Sequence, residues 1–191
     1  MKSTKEFFQN KKILIYGYGK TGKSAFNFLK TKNNLKVFDD NLPLTNLPYN
    51  KKFTRGSDRV RNFDYVLLSP GINYRKCLLS NEIIKNKEKI ISDLDVFYKS
   101  FPENFFITIT GTNGKSTTAK ILHEVLLDQK YDSRLIGNIG NPVLSEKKIN
   151  KNTLFVIEAS SYQLDYSKLF TSTYSAILNI SPDHIERHKS L

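Results

Sequence analysis

Cysteine is almost absent from the 191 residues: Cys77 stands alone. The chain can therefore hold neither an internal disulfide framework nor a cysteine-based zinc site, and it fits a reducing compartment. Flanked by Arg75 and Lys76, this thiol reads as a packing residue rather than a reactive one. No stretch approaches the roughly 18 consecutive apolar residues that a membrane span needs. The opening MKSTKEFFQNKKILIYGYGKTG has a short apolar run that leads straight into glycines, with no small-residue cleavage site. A cytoplasmic protein without membrane insertion is expected. Repeats of solenoid length and low-complexity tracts are missing too.

Hydrophobic residues make up 39% and charged residues 25%, enough apolar material for a core and too much for disorder. The length suits one large domain or two small ones. Thirty Lys and Arg against 18 Asp and Glu leave a net charge of +12. Such an excess suits nucleic acid or an anionic small molecule. The lysines are scattered rather than clustered, so charge alone selects neither, and no nucleic-acid partner is expected.

The chain repeats one rhythm: a short apolar run, a glycine turn, then a helix-like stretch. Residues 12–16 (KILIY), 35–39 (LKVFD), 65–69 (YVLLS) and 89–92 (KIIS) read as strands, with helical composition over 22–32 and 80–86. Short continuous apolar strands alternating with helices predict a parallel sheet with helices on both faces. A helix over 93–100 follows, broken by FPEN. A second cycle then begins with strand 105–110, a glycine loop and helix 116–128, and continues with strands 134–136, 154–158 and 175–180. The boundary is expected near residues 92–104, giving domains 1–92 and 93–191, the second with an incomplete sheet.

The strongest chemical signal is TGTNGKST at residues 110–117, set between the strand FFITI and an amphipathic helix. Phosphate binding needs backbone N–H groups directed into one concavity, glycines that allow close approach, and a helix N-terminus. Lys115 supplies a point charge for the β- and γ-phosphates, and Ser116 or Thr117 a hydroxyl for Mg²⁺. Ile109 stands where the first glycine of the full phosphate-loop pattern belongs. Gly17-x-Gly19-x-x-Gly22 follows the first strand, with Asp39 at the end of the second, as in a dinucleotide-binding turn. Lys20 and Thr21 lie within that turn as donors to phosphate. Ser69-Pro70-Gly71-Ile72 ends another strand of the same sheet, where open α/β sheets bind ligands.

Glu158 ends the strand LFVI and opens EASSYQL, placing a carboxylate where it can hold Mg²⁺ in the sheet of the phosphate loop. LNISPDH brings His184 to another strand end, a metal ligand or a proton carrier. His188 shares a helix face with it if a helix starts at Pro182, but no third ligand in zinc spacing accompanies them.

GYGKTG, SPGI, GTNGKST, GNIG, EASSYQL and LNISPDH stand in the order and approximate spacing of the Mur ligases, and the chain resembles that family from Gly17 to His184. The pair GNIG and EASSYQL favours the branch that adds D-glutamate to UDP-N-acetylmuramoyl-L-alanine. The resemblance implies a Rossmann-like domain that binds the uridine nucleotide, followed by a phosphate-loop ATPase domain that is incomplete here, with the family's C-terminal domain absent. By motif, Lys20, Thr21, Asp39, Ser69 and Gly71 are expected to line the uridine nucleotide. Gly111, Thr112, Asn113, Gly114, Lys115, Ser116 and Thr117 are expected to hold ATP. Asn138, Ser160 and Gln163 are expected to touch the sugar-peptide substrate. Glu158 and His184 would each hold one of two Mg²⁺ ions, with Ser116 as a further ligand, and Lys115, Glu158 and His184 would act in catalysis.

Two departures from the family pattern stand out. Asp40-Asn41 occupies a place where relatives often carry a basic residue, and the family's carbamylated lysine lies beyond Leu191. The implied reaction is amide-bond formation through an acyl phosphate in peptidoglycan precursor synthesis, by a monomer, with no turnover expected of these 191 residues alone. The alternatives are another Mur-type or folylpolyglutamate-type ligase, a nicotinamide oxidoreductase, and a remnant that only binds nucleotide. The oxidoreductase reading leaves GTNGKST unexplained.

Overall fold

The computed structural model describes residues 7–48 and 51–183. KILIY forms β1 (Lys12–Tyr16), and its apolar run is buried on both faces. Ile13 and Ile15 face one core, while Leu14 and Tyr16 face another, the period of two that a pleated strand imposes. Then come α1 (Lys20–Leu29), β2 (Asn34–Phe38), β3 (Tyr65–Leu68), α2 (Ser80–Ile84) and β4 (Ile90–Ile91). These strands form a four-stranded sheet in the order β2-β1-β3-β4, every pairing parallel.

α3 (Asp93–Ser100) leads into the second cycle, and its N-terminus is closed by a reciprocal capping box between Ser92 and Asp95. β5 (Phe105–Thr110), α4 (Lys115–Asp128), β6 (Ser133–Gly137), β7 (Leu154–Glu158), α5 (Ser161–Tyr166) and β8 (Tyr174–Ile177) complete the described elements. Their sheet is again parallel and four-stranded, in the order β6-β7-β5-β8. Parallel pairing demands a crossover between neighbours, and all crossovers leave from the carboxyl ends of the strands, so both glycine loops gather at carboxyl edges.

One apolar cluster joins the two sheets. Ile13, Ile15, Val37 and Leu67 from the first share a core with Phe97 of α3 and with Phe106, Phe155 and Ile157 of the second. Phe106 and Phe155, register partners on β5 and β7, stack with centroids 5.5 Å apart, and the Phe97 ring meets both edge-on. Such aromatic pairs contribute about 0.5–1.5 kcal/mol each beyond their buried area. α5 adds polar ties: the Tyr166 hydroxyl donates to the carbonyl of Ile72 at 2.5 Å, and the Ser167 and Ser92 hydroxyls lie 2.7 Å apart. The buried Asp95 carboxylate accepts from the backbone N–H groups of Lys168, Leu169 and Phe170.

Several elements differ from the sequence expectation. β8 stops at Ile177, three residues before the end of the apolar run, because Asn179 turns to meet the phosphate loop. β4 is two residues long, and α1 starts at Lys20, inside the glycine turn. α5 is an additional short helix within EASSYQL, where Ser160 and Gln163 make a second capping box.

Candidate functional site

At the carboxyl edge of the first sheet, β1 leads into Gly17, whose N–H donates to the carbonyl of Phe38. A Cβ on Gly22 would lie 1.9 Å from the carbonyl oxygen of Gly17, so only glycine lets α1 start this close to the strand. Asp39 closes the neighbouring strand end by accepting from the N–H groups of Tyr18, Asn41 and Leu42. Ser69 is buried, and its hydroxyl donates to the Gly17 carbonyl at 2.9 Å, tying the SPGI turn to the glycine turn. Lys20 is exposed and Thr21 half-buried at the start of α1. Asp40, beside them, accepts from the Tyr16 hydroxyl at 2.5 Å, and burial first, with that bond second, pushes the Tyr16 phenol up.

The second carboxyl edge carries the phosphate loop. β5 lies between β7 and β8, with Ile109 in register with Glu158 and Thr110 with Ile177. The loop therefore rises beside the Glu158 carboxylate. Gly114 caps α4 in the left-handed region, φ 82°, with no side-chain cap. The first intrahelical bond runs from Thr118 N–H to Gly114 O, so the N–H groups of Lys115, Ser116 and Thr117 have no acceptor within the helix. α1 also starts without a side-chain cap, and neither helix has an acid in its first turn, whereas α3 and α5 are closed by Ser92 and Ser160. Free N–H groups, a positive helix end and a nearby lysine suit an anion. The Lys115 ammonium donates to the carbonyls of Gly111 and Thr112 at 2.7 and 2.8 Å, and one of its three protons remains for a ligand.

Glu158 is 1% exposed. One of its oxygens accepts from the Asn138 side chain at 2.8 Å, and the other, Oε2, is buried with no partner among the described residues. An orphaned buried carboxylate oxygen is costly, and a cation or its bound water would relieve it. That is the donor chemistry Mg²⁺ prefers, so Glu158 fits a magnesium site. Among the described residues no three His, Cys, Asp or Glu side chains cluster. His184, expected at a second metal, and His188 lie outside the described residues.

The two edges meet in a cleft of about 810 Å³ lined by Pro70 and Gly71 from the first sheet and by Gly111, Thr112, Lys115, Asn138 and Ser160 from the second. Thr110, Ser161, Tyr162, Leu164, Asn179 and Asp183 complete much of its wall; they lie within TGTNGKST, EASSYQL and LNISPDH, although the motifs assigned none of them a role. Several expected site residues sit elsewhere. Gln163 is buried and turns inward, its amide oxygen on the Ser160 N–H and its nitrogen 3.5 Å from Asp93, because it serves the capping box of α5. Ser116 and Thr117 line a separate groove along α4 with Lys120 and Glu124, since each helical residue turns about 100° from the last. Lys20, Thr21, Asp39 and Ser69 stay at the first sheet's edge and are not among the residues lining the cleft.

Residues 109–191 match the Mur ligase middle domain family. The chain is 39% identical over 193 residues to a UDP-N-acetylmuramoylalanine–D-glutamate ligase of Rickettsia prowazekii, covering 96% of the chain and 42% of that relative. It is 37% identical to the enzyme of the same name from Francisella philomiragia, covering 96% of the chain and 43% of the relative. Residues 109–191 belong to the Mur ligase middle domain family, and nearly the whole chain is similar to Mur ligases. The chain spans about two fifths of the length of these curated relatives. The crystal structure of UDP-N-acetylmuramate:L-alanyl-γ-D-glutamyl-meso-diaminopimelate ligase from Neisseria meningitides superimposes with a TM-score of 0.51 at 18% identity, over 93% of the chain and 63% of that structure. That likeness shows a shared fold.

Proposed function

We propose that this chain carries the nucleotide-handling part of an ATP-dependent ligase that joins D-glutamate to UDP-N-acetylmuramoyl-L-alanine in peptidoglycan precursor synthesis. The observation that carries the reading is the shared cleft, where the SPGI turn of the first sheet faces the phosphate loop of the second. In this reading residues 1–92 hold the uridine nucleotide through Lys20, Thr21, Asp39, Ser69 and Gly71. Residues 93–191 hold ATP on the loop from Gly111 to Thr117. The names of the relatives supply the acceptor and the amino acid. A cytoplasmic monomer is the setting that follows, and no helix among the described residues is long and apolar enough to cross a membrane.

The chemistry explains why such a cleft needs these groups. A carboxylate resists attack by an amine because its charge repels the nucleophile and oxide is a poor leaving group. Attack of the alanyl carboxylate oxygen on the γ-phosphorus of ATP forms the new O–P bond, expels ADP, and leaves an acyl phosphate. Two anions must meet in that step. The Lys115 ammonium, already anchored on two loop carbonyls, offsets the repulsion from a fixed position, and the free N–H groups at the start of α4 hold the phosphate oxygens. Glu158 and, beyond the described residues, His184 would hold Mg²⁺, which when bound would supply further charge stabilisation. Asn138 holds the Glu158 carboxylate in place, and in this reading its amide stays beside the substrate. The unprotonated amine of D-glutamate then attacks the acyl carbon and inorganic phosphate leaves.

Titration calorimetry of the chain with UDP-N-acetylmuramoyl-L-alanine, NADH and a folylglutamate tests this reading. Binding of the uridine nucleotide and not of the other two is expected. Binding of NADH or the folate, with none of the uridine compound at millimolar concentration, overturns it.

A further inference from the structure

The phosphate loop is fastened from outside. Asn179, two residues past the end of β8, sets its side-chain amide against the peptide of Asn113: Oδ1 accepts from the Asn113 N–H at 2.9 Å and Nδ2 donates to the Asn113 carbonyl at 3.0 Å. The Asn179 main-chain carbonyl accepts from the Thr112 N–H at 3.1 Å. Two residues on, the Ser181 N–H donates to the Thr112 hydroxyl at 3.0 Å, and that hydroxyl donates to the Ser181 carbonyl at 3.2 Å. The loop between Gly111 and Gly114 is thus held by a strap running from residue 179 to residue 181.

This arrangement divides the loop's N–H groups. Those of Thr112 and Asn113, which phosphate would otherwise compete for, are already bonded to Asn179. Those of Lys115, Ser116 and Thr117 precede the first helical bond and are free within α4. Only a primary amide offers donor and acceptor side by side at this reach; aspartate lacks the donor and leucine both. With its Asn113 peptide fixed at both ends, the loop pays little ordering entropy when an anion arrives.

We propose that Asn179 is a positioning residue for the phosphate loop, holding the Asn113 peptide so that the α4 N-terminus is preformed for a polyphosphate. This rests on the reading of that loop as the ATP site and extends it to a residue outside the glycine motif. Asn179 lines the same cleft, and its side chain is committed to the loop rather than to the sheet.

The test uses the 191-residue chain, with Mg·ATP, inorganic tripolyphosphate and UDP as probes in calorimetry, and amide hydrogen exchange followed by NMR. Asn179→Ala and Asn179→Asp are each expected to weaken Mg·ATP and tripolyphosphate about tenfold, the scale of one or two lost hydrogen bonds. UDP affinity stays within twofold, and the Asn113 amide, protected in the parent chain, exchanges fast in Asn179→Ala but stays protected in Asn179→Asp, which keeps the acceptor for that N–H. The assignment is overturned if Asn179→Ala binds tripolyphosphate within twofold of the parent, or if UDP affinity falls with it, since that marks a general loss of fold. If the parent chain binds neither ATP nor tripolyphosphate, the ATP-site reading itself fails and the assignment falls with it.

Discussion

The Asn138 side chain donates to Glu158 Oε1 at 2.8 Å, and Oε2 of the same buried carboxylate has no partner among the described residues. Asn138 and Glu158 sit at the ends of adjacent strands, Gly137 and Glu158 being register partners, so the sheet itself sets this contact. A carboxylate half satisfied and fully buried is a liability that a bound cation would remove. Glu158→Gln keeps the acceptor for Asn138 and deletes the charge. The variant is expected to be as stable as the parent or up to about 1–3 kcal/mol more stable without ligand. It should lose the extra thermal stabilisation that Mg²⁺ adds to ATP. Thermal melts with ATP, with and without Mg²⁺, check this; an unchanged magnesium increment would refute the metal role.

Lys115 does two things at once, bridging the carbonyls of Gly111 and Thr112 and offering its remaining proton to the cleft. Lys115→Ala should weaken Mg·ATP about tenfold to a hundredfold, the scale of a charge-assisted hydrogen bond. UDP binding should not change, because the proposed uridine site lies on the other sheet. Parallel calorimetric titrations separate the two effects.

Gly22→Ala drives a methyl group to within 1.9 Å of the Gly17 carbonyl, a backbone atom that cannot swing aside. A loss of about 2–4 kcal/mol in urea unfolding is expected, the upper range of overpacking. Where the variant is still folded, UDP affinity should fall and tripolyphosphate affinity hold. A stability within about 0.5 kcal/mol of the parent would show that the turn is looser than the structure implies.

Asp93 lies buried at the start of α3, beneath α5. Burial pushes its carboxyl up from the ordinary 3.8 to about 6, offset in part by hydrogen bonds from the Gln163 side chain and the Leu94 N–H. The folded protein therefore keeps a proton at pH 4–6 that the unfolded chain has released. This contribution to stability is fully present below pH 3.8 and is lost as pH rises through about 6. At neutral pH its loss amounts to about 3 kcal/mol at most. Asp93→Asn mimics the protonated form with its acceptor oxygen retained. It should raise stability at pH 7.5 and flatten the change between pH 4 and 6, as urea unfolding across that range would show.

Much of this architecture was legible in the sequence because parallel strands buried on both faces are written as unbroken apolar runs. KILIY, FFITIT and LFVIE are strands over the residues their hydrophobicity marks. The glycine turns likewise announced α1 and α4. Gln163 is turned inward for a physical reason: Ser160-x-x-Gln163 is a capping box, and that local bond competes with any ligand for the same amide. The pattern S-x-x-Q was the available signal for α5. Asn179 lies within LNISPDH, but its tie to the phosphate loop was not legible there, because its partner is 66 residues away and meets it only when β8 pairs with β5. The gathering of the two edges into one cleft was equally invisible, since it depends on the aromatic core around Phe97.

A crystal structure of the chain soaked with ATP and Mg²⁺ tests the central claim most directly. The account predicts the triphosphate on the N–H groups of Lys115, Ser116 and Thr117, with a magnesium ion against Glu158 Oε2 and the nucleotide within the cleft that Gly71 also lines. Triphosphate density in the glycine turn from Gly17 to Gly22, with the loop around Asn113 and Gly114 empty in an open site, would contradict it.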